Sequence, residues 1–589
     1  MKTDSRTLPA WILLPVLLGA AFSVALVMNA HRVNHGIDGF PLDDPWIHLT
    51  YARNLHDHHS FSYFPGEKST SGSTSPLYTL LLAAGFSFTR DEKALSYALG
   101  ILFHAAFLAA AALWARKRLG GTVWAVAFVL FLALDSRIAI LSVSGMETSL
   151  FLLLIALTFW AWAEKRWNAL GVFLGLCVWV RPDAFILAGV LLIAAALERL
   201  QRERKHAPPA RTPVRSWLLP FGALVLLYFA FNLVTGGRIM PNTFAAKHAY
   251  YTTPIAQFIT HGVRDCFLSA GFWVVTPLAL LTVAAEALRL LRRQPPRYAA
   301  EIGWAIALPL AYILYVPTAH RFSRYLVPAL PAVALLGLAA IREAALWGAK
   351  AKRSFTWMGP RGAVAALALA GVVALQGWGA RGAAKEYRDF CLYHYQRHER
   401  TGRWLKEHTP EGAVVATHDV GAIAYYSGRK VLDVVGLIQP DAVPHLHRPD
   451  YTEFLARWFD REHVTHLAFL ENWMEVGNQV PLWTADENPE VLRVFAWVPG
   501  RTLLVPERAS ALNRRAVDLA NAGSLPQAIQ TLQRSLELEP RDSRTWYLVG
   551  AVSAMAGDTQ GADRAYRKAL ELFPGYADAE QGLRLLGGP

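Results

Sequence analysis

Phe40-Pro41-Leu42-Asp43-Asp44-Pro45-Trp46-Ile47-His48-Leu49-Thr50-Tyr51-Ala52-Arg53-Asn54-Leu55 is a polar, aromatic stretch set between long apolar runs. Asp44 before Pro45 reads as a helix start, because a carboxylate caps free N–H groups and proline fits the first turn. Ile47, Tyr51 and Leu55 then recur at spacing four, one face of a helix. On periodicity alone Asp44 is a cap and Asp43 its solvated neighbour. A carboxylate pair beside apolar runs is also the pattern of a general base or a metal ligand. The stretch continues through Phe61-Ser62-Tyr63-Phe64-Pro65-Gly66-Glu67 and Ser71-Gly72-Ser73-Thr74-Ser75-Pro76-Leu77. Aromatics alternating with hydroxyls suit a sugar ring, and equally an ordinary turn-rich connection.

The surroundings are a membrane protein's. Of 589 residues 53% are hydrophobic, and only 17% are charged where a soluble chain carries about 25%. A span needs about 20 apolar residues, fewer where neighbours shield it. Eleven are predicted: 8–30, 94–115, 122–140, 149–163, 168–180, 184–197, 217–234, 271–288, 299–317, 325–347 and 362–380. The first is not a cleaved signal, since no small-residue cleavage site ends it. Residues 76–88, with Ser75 as N-cap and Pro76 in the first turn, read as an interfacial helix.

Lys and Arg outnumber Asp and Glu by 58 to 45, a net charge of +13. They cluster at Lys2 and Arg6, at 116–118, 165–166, 199–215, 289–297 and 342–361, in connections that alternate with loops poor in positive charge. The rich set is therefore predicted to be cytoplasmic. This accounts for the basic balance without nucleic acid. It predicts a multi-pass membrane protein, N-terminus inside and everything after Ala380 outside. The reading finds no charge in mid-span, which argues against an ion-coupled transporter. Three cysteines form no disulfide framework or CxxC metal spacing, although Cys266 and Cys391 share a compartment and can pair. His56-Asp57-His58-His59 matches no zinc spacing and reads as a polar loop.

The string from Asp43 to Leu55, with Gly72-Ser73-Thr74-Ser75-Pro76, resembles the first outer loop of the GT-C fold glycosyltransferases. It is most similar to the terminal arabinofuranosyltransferase branch of cell-wall synthesis and its bacterial relatives. Ser144-Gly145-Met146-Glu147-Thr148, Arg181-Pro182-Asp183, Pro241-Asn242-Thr243 with Lys247, and Arg324-Tyr325 through Pro331 resemble the same family. So do 414–428 and 432–436. As an ordered set over roughly residues 9–506 these strings are specific; singly none is.

The resemblance implies a polyprenyl-phosphate sugar as donor and an outer glycan, lipid or protein as acceptor, and leaves the sugar open. It implies Asp43 and Asp44 as catalytic carboxylates that activate the acceptor hydroxyl. Arg324, Arg181, Lys247 and Arg321 then meet the departing phosphate, or else anchor at lipid headgroups. Trp46, His48, Tyr51, Arg53, Ser73, Ser75, Glu147, Asp183 and Asn242 are implied as substrate contacts. One carboxylate base and a phosphate leaving group imply inversion. Mg²⁺ or Mn²⁺ bridging carboxylate and phosphate is compatible with this chemistry and not required.

After the spans, residues 381–506 mix helix (401–408) with short strands at 414–416, 431–435, 465–470, 492–498 and 502–505. They predict a small α/β cap, in which His418 and Asp419 either reach a substrate or shape a turn. From Ala509 the sequence repeats with a period of 34: Gly523 matches Gly557, Ala528 Ala562, Leu536 Leu570 and Pro540 Pro574. This resembles two tetratricopeptide repeats with a capping helix, Ala577–Leu586. Two repeats are fewer than usual for independent stability, so they should pack on the α/β region or on a partner.

The predicted architecture is mostly α. A polytopic helical bundle with about eleven spans (residues 1–380, long outer loop 31–93) is followed by an outer α/β domain (381–506) and helical repeats (509–589). A non-enzymatic membrane scaffold presenting the repeats to envelope proteins is the competing expectation.

Overall fold

The computed structural model describes residues 12–67, 72–203, 213–318, 321–346, 360–485 and 490–587. Lys2, Arg6, the start of the first predicted span, Ser71, and much of the basic runs after 203 and 346 lie outside them. The chain divides into two compact units, Met1–Tyr395 and Gln396–Pro589.

The first unit is a multi-pass helical bundle. Seven described helical segments are long and apolar enough to cross a membrane, among them Leu13–Val33, Glu92–Leu119, Val214–Gly236 and Phe272–Leu291. Thr122–Ala133 and Ser136–Ser142 make an eighth if taken as one span, bent by 66°. Thr148–Ala163, Trp167–Val180 and Ala299–Tyr315, each read as a span from the sequence, are apolar helices of 16, 14 and 17 residues.

The predicted span 122–140 is thus broken near its end. Asp135 is 1% exposed and accepts from the N–H groups of Arg137 and Ile138, starting a new helix. Its carboxylate also holds the Arg137 guanidinium at 2.6 Å and the Gln376 amide at 2.7 Å. A charge so buried is tolerated because both carboxylate oxygens are hydrogen-bonded. Glu301 is likewise fully buried, with Arg118 Nε at 2.6 Å.

Close helix packing depends on glycine. A Cβ on Gly100 would lie 1.8 Å from the Ser142 carbonyl oxygen. Gly100→Ala is therefore expected to destabilise the bundle by about 3 kcal/mol or more, the upper range for overpacking, because a backbone atom cannot yield. A lowered thermal unfolding midpoint in detergent checks it.

The long loop folds as two short helices, Pro45–His58 and Pro76–Gly85, packed on each other. The Asn54 side-chain amide donates to the Ser62 and Tyr63 carbonyls and closes the turn between them. Ten residues cannot span a membrane, in keeping with the interfacial reading of 76–88. Ser75 precedes that helix without a side-chain capping bond.

The second unit holds β1 (Val414–Thr417), β2 (Lys430–Asp433), β3 (His466–Leu470), β4 (Val476–Gly477), β5 (Trp483–Ala485), β6 (Leu492–Ala496) and β7 (Leu503–Leu504). Five form one sheet in the order β2-β1-β3-β6-β5. β1 pairs parallel with β2 and β3 (Ala416 opposite Leu432 and Leu467), while β6 runs antiparallel to β3 and β5. Each strand predicted from sequence is present within a few residues; β4 and β5, at two and three residues, are too short to show a period.

Five helices follow, ending at Ala577–Leu586 as predicted. Leu525–Leu538 and Thr559–Leu572 start 34 residues apart. Ala516, Ala528, Leu532 and Val552 make one core, and Ala562, Tyr566, Ala569 and Ala579 the next. The helices pack on the sheet region: Glu475 accepts from Ser510 Oγ at 2.6 Å and pairs with Arg544 at 2.8 Å, and Asn478 bonds Arg541 and Ser543.

Candidate active site

Asp44 stands at the start of Pro45–His58, but its carboxylate makes no capping bond. It is bound instead by Arg324 Nη2, a residue 280 positions away. The side chain of Arg324 is 2% exposed and that of Asp44 31%. The turn before Arg324 runs through left-handed backbone at Phe322 and Ser323, a strain that persists where surrounding structure imposes it. The contact places the first loop and the 321–324 turn on one side of the bundle.

Tyr325 is the hub. Arg324 Nη2 donates to its hydroxyl at 3.1 Å, and its ring stacks on Tyr312, centroids 5.1 Å apart. Three cations surround that ring: Arg324 at 5.0 Å, Arg181 at 5.2 Å and Lys247 at 5.4 Å. Cations over an aromatic face are held by its quadrupole. Arg181, in the turn after Trp167–Val180, binds Asp183 Oδ2 through Nε and Nη2 (3.0 and 2.6 Å) and donates to the Tyr312 hydroxyl at 2.9 Å. Tyr312 in turn donates to Asp183 at 2.8 Å. Among the described residues no carboxylate lies within ion-pair distance of Lys247.

A second arm runs from Arg181 into the first loop. Glu147 lies 3.7 Å from Arg181 Nη1 and 3.4 Å from His48 Nε2. His48 Nδ1 meets Ser73 Oγ at 3.1 Å, and Ser73 meets Thr79 at 2.8 Å. Burial opposes a charge on Glu147, yet His48 and then Arg181 outweigh it and pull its pKa down to about 2.

The folded-state pKa lies below the ordinary 4.5, so the ionised Glu147 carboxylate stabilises above pH 4.5 and its contribution is lost as pH falls from there toward 2. The effect is about 3 kcal/mol. Glu147→Gln is expected to lower the unfolding midpoint at pH 7 and to flatten its fall between pH 4.5 and 2. Unfolding scans across that range measure it.

Not every predicted site residue joins this cluster. Arg321 packs on Phe390 and Tyr393, at 4.3 and 4.7 Å, with His394 at 3.4 Å. Trp46 is buried against Phe40. Tyr51 is buried between Phe61 and Tyr63, and its hydroxyl accepts the Gly72 N–H. Ser75 is buried, its N–H directed at Ser73 Oγ. Asp43 and Arg53 are half-buried, and the Asn242 side chain lies outside the described residues. Asp57 pairs with both His56 and Arg90. All three cysteines are buried and none is in a disulfide, so Cys266 and Cys391 are not joined.

The sequence missed Tyr312, which sits in an apolar run with nothing to mark it, and Tyr251. Burial raises the Tyr251 hydroxyl well above the usual tyrosine range, and the nearby charges of Asp44 and Arg324 pull in opposite directions. Tyr325 also borders a cavity of about 480 Å³ whose lining includes Ser136, Arg137, His261, Asp265 and Glu386.

Among the described residues no three His, Cys, Asp or Glu side chains group to hold a metal ion. Asp44, Asp183 and Glu147 are each answered by a guanidinium instead.

A polytopic bundle with short helices in its first loop, followed by a mixed α/β region, is the GT-C fold of membrane glycosyltransferases. Two solved proteins share it. One is ArnT from Cupriavidus metallidurans bound to undecaprenyl phosphate (TM-score 0.51, 13% identity, 83% of this chain and 98% of that one). The other is the Archaeoglobus fulgidus oligosaccharyltransferase (TM-score 0.53, 16% identity, 79% of this chain and 70% of that one). At such identities the likeness is one of fold. Residues 385–517 match a domain of unknown function, DUF8728. A probable biofilm formation methyltransferase WspC of Pseudomonas putida is 41% identical over 73 residues, 12% of this chain and only 17% of that relative's length.

Proposed function

We propose that the chain is a membrane glycosyltransferase that moves a sugar from a polyprenyl-phosphate donor to an extracytoplasmic acceptor, a cell-envelope glycan, lipid or protein. The observation that carries this is the Asp44–Arg324 pair joined through Tyr325 to Arg181 and Lys247. In this reading Asp44 takes the proton of the acceptor hydroxyl as its oxygen forms the new bond to the anomeric carbon. The bond to the lipid phosphate breaks on the opposite face, giving inversion. Lys247, with no carboxylate beside it among the described residues, and the two arginines meet the charge left on the phosphate. Asp43 stands beside Asp44 as a second carboxylate of the same loop. The cavity beside Tyr325 offers room for the sugar among hydroxyl and charged groups.

The donor's lipid tail belongs in the bilayer, which suits a site at the rim of a helical bundle. ArnT, of the same fold, was solved with undecaprenyl phosphate bound. In this account the site faces away from the cytoplasm of a bacterial inner membrane, and the five C-terminal helices are tetratricopeptide repeats offered to a protein partner. A deletion strain complemented with wild type or Asp44→Asn tests the enzyme against a mere scaffold. Mass analysis of envelope glycans should show a sugar lost on deletion and restored only by wild type. Restoration by both contradicts the proposal.

A further inference from the structure

In the second unit β1 is a switch point. The chain leaves its carboxyl end to form β2 on one side, then crosses to form β3 on the other. In open parallel sheets the crevice outside the strand ends at such a point is where ligands bind. Here the loop after β1 carries His418 and Asp419, and the loop after β3 carries Trp473. The His418 and Trp473 rings stack face to face, 4.4 Å apart with planes at 6°.

His418 has a 6% exposed side chain, yet neither ring nitrogen makes a hydrogen bond. Nε2 is 3.2 Å from Asp419 Oδ2 but off the bonding direction. That same oxygen is taken by the buried His398 at 2.8 Å. Burial first, and His398 second, hold His418 below the ordinary histidine range against the pull of Asp419 and Glu490. A neutral imidazole offers one donor and one acceptor. Buried polar atoms left unmatched call for an explanation, and a ligand that supplies the missing partners is one.

We propose that His418, Asp419 and Trp473 form a binding subsite for a neutral, hydroxyl-rich ligand, a glycan residue; that it is a glycan rests on the glycosyltransferase reading. A sugar hydroxyl both donates and accepts, so it serves either imidazole nitrogen. The Asp419 carboxylate accepts from a second hydroxyl, and the half-buried indole packs against sugar C–H groups. The carboxylates of Asp419 and Glu490 disfavour phosphates and uronates.

Full-length protein in lipid nanodiscs, applied to an array of neutral, amino and uronic oligosaccharides, tests this. Wild type should retain neutral glycans. His418→Phe keeps the ring stack and removes both nitrogens; it should fold as wild type by thermal scan and bind at least tenfold more weakly, as should Trp473→Ala. Asp44→Asn should bind as wild type while failing to transfer sugar, which separates this subsite from the proposed reaction. No glycan retained by wild type, a preference for uronic glycans, or wild-type binding by folded His418→Phe would overturn it.

Discussion

Asp44→Asn is expected to lower kcat about 10³-fold, within the range a positioned general base supplies, with little change in KM for the lipid donor. The substitution keeps the volume and removes the carboxylate proposed as the base. It also leaves the Arg324 guanidinium, 2% exposed, without its counter-charge, so the unfolding midpoint should fall by the equivalent of about 3 kcal/mol. Asp44→Ala should cost more stability and no more activity. Single-turnover assays alongside thermal scans separate the two effects, and Asp43→Asn measured in parallel assigns each carboxylate its share.

Arg181 carries the second large effect. Its Nε and Nη2 both engage Asp183, and Nη2 also reaches the Tyr312 hydroxyl, in a side chain only 6% exposed. A lysine keeps the charge and loses the fork. Arg181→Lys is expected to reduce kcat about 10²-fold, the loss of one preorganised contact to developing charge. Arg181→Ala leaves Asp183 and Glu147 without their cation and should destabilise the fold by about 3–5 kcal/mol. Steady-state kinetics of both variants on one lipid donor, with unfolding midpoints, measure this. Equal kcat for Arg181→Lys and wild type would remove the residue from the phosphate's surroundings.

Much of this architecture was legible. The apolar runs are long, the positive charges alternate, and the carboxylate pair, Arg181-Pro182-Asp183 and Arg324-Tyr325 lie in short strings that stand out from their apolar surroundings. What periodicity could not decide was the job of Asp44. A carboxylate before Pro45 looks like a cap whatever it does, and only the tertiary fold brings Arg324 to it. Tyr312 was invisible because a phenol in an apolar helix reads as core until its hydroxyl meets Asp183. The break at Asp135 was hidden in the same way: one acidic residue between apolar runs gives no sign that Gln376, 241 residues on, will satisfy it. Trp46 and Tyr51 show the converse. The resemblance implies both as substrate contacts, but Trp46 is buried against Phe40 and Tyr51 between Phe61 and Tyr63.

In the proposed reaction a lipid phosphate leaves the sugar at the Tyr325 cluster. Purified full-length protein in nanodiscs, supplied with polyprenyl phosphates carrying radiolabelled hexoses or pentoses and an envelope extract as acceptor, should consume one lipid donor and release free polyprenyl phosphate, and Asp44→Asn should not. Folded wild type that leaves every lipid donor intact, or that draws its sugar from a soluble nucleotide donor instead, would contradict the account.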